Sequence, residues 1–390
     1  MQISRREGLL GFACLAFAWL QSCETLKQSP SQGALNWHQI PSPTELGRPA
    51  HSLCASVDNS FFVFGGIDDE SDSPYNNRLG LFHVRDNVWQ ISQSAQGPVP
   101  LNLSSLGQFK DGIVIFGGET SRQPETNDAY IYVLSESKWE KISKGKVSPR
   151  KQASVVRVGE KLAIIGGKSR KDFNDWGLVD PSSKTLSAQE LEGVKSRVSH
   201  VAMAISNSEA FVWGGFVGTE RRSDGFILST DSNTVDTIPS TPLLSARANA
   251  RAIRFENKIY IWGGTPQDGN SNSGAIFDIE TRIWTSIPPI PDSKFNTIKS
   301  AEIVRYRDKG FYLIGGRFGL ENFNDELWFY DRFKNKWLKR DTWQQFPGRM
   351  AHCVVAMDDG KILVFGGIGY VKGTKILTHL DGLWVLEGGD

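Results

Sequence analysis

Cysteine is scarce in this chain, with four among 390 residues at positions 14, 23, 54 and 353. So sparse a set excludes a small disulfide-stapled scaffold and any zinc site built on paired Cys-x-x-Cys ligands. An excess of one charge is also missing: 44 Lys and Arg face 43 Asp and Glu, for a net charge of +1. That balance removes any general attraction to nucleic acid or to an anionic membrane, and no nucleic-acid-binding motif appears. Beyond residue 20 no apolar run is long enough to span a bilayer. Residues 36–390 contain no linker-like stretch, so 390 residues do not divide into the two or three domains that length alone suggests.

What the chain does have is glycine, arranged with a period. Seven Gly-Gly doublets begin at Gly65, Gly117, Gly166, Gly214, Gly263, Gly315 and Gly366, spaced 52, 49, 48, 49, 52 and 51 residues apart. A period near 50 means one supersecondary unit copied and stacked. Each doublet closes a run of four apolar residues, such as Phe61 to Phe64 or Ile113 to Phe116. Runs that short and that rich in β-branched and aromatic residues suit strands buried on both faces. The glycines allow positive φ and close approach of another group to the backbone. A polar loop follows, often ending in Asn-Asp (Asn127-Asp128, Asn174-Asp175, Asn324-Asp325), then a third strand such as Glu326 to Tyr330. A fourth strand centres on Trp89, Trp139, Trp284 or Trp337, with Leu186 and Val235 in that place in two repeats. Four short antiparallel strands per period describe a propeller blade.

The chain ends fit a closed ring. After Gly366 a third strand is present (Gly382 to Leu386) but no tryptophan strand, whereas Asn36-Trp37-His38-Gln39-Ile40-Pro41 stands alone before the first doublet. The N-terminus is therefore expected to supply the last blade's outer strand and remove two open sheet edges. The expectation is an all-β, seven-bladed propeller over residues 35–390. With the Pro-Arg or Gly-Arg pairs at 149–150 and 348–349, the doublets and tryptophans resemble kelch repeats over nearly the whole chain. That resemblance implies a Trp ring packed on the Gly doublet, with thinner outer packing at Leu186 and Val235.

Residues 1–22 read as a secretory signal: Arg5-Arg6, an apolar stretch from Leu9 to Leu20, then Gln21-Ser22. Leu20-Gln21-Ser22-Cys23 resembles the bacterial lipobox, which implies diacylation of Cys23, and Ser4 to Leu9 also resembles a twin-arginine signal. Residues 23–34 are then a lipidated cysteine and a polar tether, and the protein is expected in the cell envelope. Glutamate rather than aspartate at position 24 points to the outer membrane. Cys54 and Cys353 belong to inner strands of neighbouring blades, but their offsets from Arg48 and Arg349 differ, which predicts two small buried hydrophobes and no bridge.

Aligned at the start of each inner strand stand Arg48, Leu101, Arg150, Arg197, Arg247, Asn296 and Arg349. In kelch modules, arginines matching this position grip acidic peptide segments, so Arg48, Arg150, Arg197, Arg247 and Arg349 are the candidate ligand-binding residues. The alternative is that they hold the blades together. Three residues on come His51, Ser104, Ala153, His200, Ala250, Lys299 and His352, whose three imidazoles sit in separate blades and do not predict a metal. Asp68-Asp69-Glu70 with Asp72 lacks calcium-loop spacing and reads as a solvated tip. No cofactor is expected. The copper-oxidase type of kelch enzyme needs a Tyr-Cys crosslink for which no tyrosine pattern exists. The sialate-mutarotase type would use Glu302 as a base near Arg247 and Arg349. The favoured reading is a monomeric, lipid-anchored module that binds a protein or a glycan on its loop face. An isomerase, or a structural part of an envelope assembly, are the alternatives.

Overall fold

The computed structural model of the protein describes residues 34–388 apart from 69–75, 93–96, 100–101, 143–144, 146, 171–172, 174, 192–195, 320–321 and 371–373. The signal segment, Cys14, Cys23, most of the tether, Leu101, Asn174 and the Asp69, Glu70, Asp72 group therefore lie outside the described residues.

Among the described residues the chain folds into seven four-stranded antiparallel sheets, one per repeat. The first, blade 1, runs outward through Leu53–Val57, Ser60–Phe64, Leu79–His83 and Val88–Ser92. Each second strand is the apolar run read from the sequence, and in blades 1 and 2 all five of its residues are buried. Burial on both faces follows because every sheet is sandwiched between two others. Seven apolar cores fill the seven gaps: Phe62, Phe64 and Ile113 between blades 1 and 2, for example, and Phe211, Phe277 and Ile259 between blades 4 and 5.

The ring is closed by the N-terminal strand. Asn36–Ile40 pairs antiparallel with Leu383–Glu387, Trp37 opposite Leu386 and Ile40 opposite Leu383. It is the outer strand of blade 7, whose inner strands are Cys353–Ala356 and Ile362–Phe365. Phe61 of blade 1 and Phe365 of blade 7 share the last core, with ring centroids 6.1 Å apart.

The outer-strand tryptophans pack differently from the family expectation. In four blades the ring reaches the preceding blade and meets the aromatic residue just before its glycines. Trp89 lies 5.9 Å from Phe365, Trp139 5.4 Å from Phe64, Trp284 6.0 Å from Trp213 and Trp337 4.8 Å from Trp262. Where the outer position is Leu186 or Val235, the residue before the preceding doublet is Phe116 or Ile165, and packing proceeds without an aromatic pair.

Candidate functional site

The residue after each doublet pairs with a residue at the head of its own blade: Ala50 with Ile67, Asn102 with Glu119, Lys151 with Lys168, Val198 with Phe216. Blades 5 to 7 repeat this with Ala248 and Thr265, Lys299 and Arg317, Met350 and Ile368. These pairs fix which residues are equivalent. The position before them holds Pro49, Leu101, Arg150, Arg197, Arg247, Ile298 and Arg349. Four arginines share it; Arg48 precedes it by one residue and Asn296 by two. The shift arises because short 3-10 turns, Thr44–Leu46 and Ser293–Thr297, lead into those two blades.

The four equivalent arginines are buried. Each donates from Nη1 to the carbonyl of the first glycine in its own repeat: Arg150 to Gly166 at 3.2 Å, Arg197 to Gly214 at 3.2 Å, Arg247 to Gly263 at 2.9 Å and Arg349 to Gly366 at 2.9 Å. Their own carbonyls accept from the second glycine of the preceding repeat: Gly118 for Arg150 at 3.0 Å, Gly167 for Arg197 at 2.8 Å, Gly215 for Arg247 at 2.8 Å and Gly316 for Arg349 at 2.7 Å. One residue thus ties two blades at the level of the doublets. Arg150 is held further by Asp175 and by the ring of Phe173, 3.8 Å from its guanidinium carbon. Burial lowers Arg247 to about 10 and Arg349 to about 9, which leaves both protonated at neutral pH. Arg48 is only half-buried and lies on the loop face.

Two residues after the arginine position the chain adopts positive φ in every blade, at His51, Leu103, Gln152, Ser199, Asn249, Ser300 and Ala351 (φ 54–58°). This kink lets backbones of neighbouring blades meet: His51 N donates to Ala351 O at 2.9 Å, and Asn249 N to Ser199 O at 2.8 Å. Six of these kinked residues, all but Ser199, rim a cavity of about 460 Å³ at the channel mouth, lined also by Asn102, Arg251 and Glu302. Arg251 and Glu302, at matching positions of adjacent inner strands, form an ion pair at 2.5 Å. Arg251 keeps 43% of its side-chain surface exposed to the cavity it lines. Glu302 does not stand beside Arg247 and Arg349 as expected from the sequence. Those two are turned into their blades, and the guanidinium that Glu302 meets is that of Arg251. Its spacing of 51 residues from Glu302, one repeat, was the available signal.

The three histidines do not converge. His51 lies at the mouth, whereas His200 and His352 occupy the next position along and are buried with no hydrogen-bond partner on either ring nitrogen. Burial and the neighbouring Arg197 or Arg349 lower them to about 3, so both are neutral packing groups. Gly166 makes room for one: a Cβ there would stand 2.6 Å from His200 Cε1. No cluster of three His, Cys, Asp or Glu suited to a metal occurs among the described residues. Asp68 is buried and accepts from Arg48 N at 3.1 Å, so it fastens its loop rather than forming a solvated tip.

Two further features mark the same face. Lys299 and Arg317 stand directly opposite one another with no ion pair among the described residues. Like charges placed so oppose folding, and an anion between them would relieve the repulsion. Beside them, between blades 6 and 7, a groove of about 1100 Å³ is lined by Arg48, Phe323, Trp343, Tyr370 and His379. Trp343 is 47% exposed.

Seven-repeat sheets, glycine doublets and arginine ties together define a kelch β-propeller. The chain belongs to this family: residues 31–195 and 153–367 match the KLHDC2/KLHL20/DRC7 Kelch-repeats domain. It is 25% identical to human Kelch domain-containing protein 10 over 399 aligned residues, covering 94% of this chain and 75% of that one. It is 24% identical to human Kelch domain-containing protein 1 over 271 residues, covering 59% of this chain and 66% of the relative. With the Drosophila melanogaster Host cell factor the identity is 24% over 299 residues, which is 64% of this chain and 19% of that much longer protein. Among the described residues no helix is long and apolar enough to cross a membrane.

Proposed function

We propose that this protein is an interaction module, anchored outside the cytoplasm through Cys23, that binds a protein partner across the loop face of its propeller. The observation that carries this reading is the set of groups on that face which the fold leaves unused. These are the exposed Trp343 beside Tyr370 in the groove, and the cations Lys299 and Arg317 near it. Exposed aromatics and arginines are the usual anchors of an interface, and cations without partners favour an acidic segment. Arg150, Arg197, Arg247 and Arg349 frame this face from within while Arg48 meets the ligand directly.

The test is capture of the partner by crosslinking on intact cells, followed by affinity measurements with the purified pair. Arg48→Ala, Trp343→Ala and Arg317→Ala should each weaken binding tenfold or more, and added salt should weaken it further. Unchanged affinity in all three would overturn the reading. The anchor is tested separately: Cys23→Ser should release soluble protein of unchanged fold, and a variant that stayed with the membrane fraction would remove the lipid from the proposal.

The same aromatic groove suits stacking of a glycan, with Asp325 and Gln345 beside the rings to accept and donate to hydroxyls. An isomerase working at the mouth would need Glu302 as a free base, and its bond to Arg251 opposes that role.

A further inference from the structure

The seam between blades 1 and 7 is where the two ends of the chain meet, and it holds two thiols. Cys54 lies half-buried on the inner strand of blade 1, and Cys353 lies buried on the inner strand of blade 7; both are free. Cys353 stands four residues after Arg349, and Cys54 five after the equivalent Pro49. Despite that one-residue stagger both side chains pack into the same core between blades 7 and 1. Cys353 Sγ also donates to the carbonyl of Ser52, two residues before Cys54, at 3.0 Å. At the position of Cys353 the other blades carry Leu53, Ser105, Ser154, Val201, Arg251 and Glu302, so only this seam has a thiol pair.

We propose that Cys54 and Cys353 are a redox-modification site, and that a disulfide between them closes the ring covalently. The oxidant is a small-molecule or protein disulfide, which an extracytoplasmic location supplies. The more exposed Cys54, as thiolate, attacks one sulfur of the donor disulfide; that S–S bond breaks and one donor thiolate leaves and takes up a proton. Cys353 then gives up its proton to solvent and attacks the Cys54 sulfur, expelling the second donor thiolate. Two protein thiols are oxidised to one disulfide, and one donor disulfide is reduced to two thiols. Burial and the adjacent Cys54 push the Cys353 thiol well above its ordinary value, so the closing step is slow at neutral pH and quickens as pH rises.

The experiment uses the full chain carrying Cys14→Ser and Cys23→Ser, folded, with excess glutathione disulfide at about pH 7 and about pH 8.5. Peptides containing Cys54 and Cys353 should become crosslinked, both free thiols should vanish, and dithiothreitol should reverse the change. Because the bridge closes nearly the whole propeller as one loop, the melting midpoint should rise by roughly 5–10 °C. Cys54→Ser and Cys353→Ser in that background should give no crosslink. Stable glutathione adducts without a crosslink, retention of both thiols, or a crosslink that forms only after denaturation would each overturn the proposal. None of these outcomes bears on whether the loop face binds a partner.

Discussion

Arg150 shows what a single residue contributes to this ring. Its guanidinium bonds the carbonyls of Ser148, Gly166 and Asp175 and the Asp175 carboxylate, while its own carbonyl holds Gly118 of the blade before. Truncation would leave those acceptors and a carboxylate stranded where water does not reach. Arg150→Ala should therefore cost about 3–5 kcal/mol in chemical denaturation. Lysine should not restore it, because one ammonium cannot reproduce a planar fork of donors. Arg122→Ala, on an exposed loop, should be nearly neutral. Equal stability for the two alanine variants would contradict the tie. His200 and His352 make a second prediction. Both have folded values near 3 against an ordinary 6.5, so the unfolded chain takes up protons first as pH falls. Their contribution is complete above about pH 6.5 and is lost as pH drops from there toward about 3, at up to about 1.4 kcal/mol per histidine per pH unit. Between pH 7.5 and 5.5 the denaturation midpoint should fall, and His352→Leu should flatten that slope whatever it does to absolute stability. A slope unchanged by the substitution would reject neutral burial.

At the level of the strand, the outer strands matter through one aromatic each. The strand Asn36–Ile40 carries Trp37, which stacks on Phe346 at 4.5 Å and fills the core between blades 6 and 7. Deleting residues 36–40 should open an edge on Leu383–Glu387 and cost at least the 3–5 kcal/mol of an aromatic truncation. Deleting residues 24–33 should leave the melting midpoint where it was, and equal effects of the two deletions would refute closure by this strand. The strands themselves were legible because burial on both faces demands unbroken apolar runs, and the doublets marked where each run stops. The site was legible only in part. Counting back from the apolar runs put Arg150, Arg197, Arg247 and Arg349 in register, but turns of unequal length before Ala50 and Lys299 moved Arg48 and Asn296 out of it. Partners across a seam, such as Arg251 with Glu302 or Cys54 with Cys353, depend on how neighbouring blades are staggered, and no single repeat encodes that. Trp343 lies in a loop without periodic pattern, so nothing in the repeat marks it.

Among the described residues seven cores separate seven four-stranded sheets, and none of these seven is terminal. In an open repeat array each unit rests on its neighbours and the ends unravel first. Here every sheet is packed on both sides, and the seam that joins the chain ends has a core like the rest, with Phe61, Phe365 and Val385 buried in it. Loss of one core opens the ring and exposes a face on both neighbours, so opening at any seam should propagate through the whole. Unfolding should therefore be one cooperative transition, with far-UV circular dichroism and tryptophan fluorescence giving coincident curves. Phe61→Ala at the blade 7–1 core and Phe211→Ala at the blade 4–5 core, both fully buried, should each lower that single transition by about 3–5 kcal/mol. They sit in separate cores with no shared partner, so the double variant should show the sum within about 0.5 kcal/mol. If Phe211→Ala split the curve into two steps while Phe61→Ala did not, the sheets would be unfolding as an open array, and the seam would hold nothing that the chain's own order had not already provided.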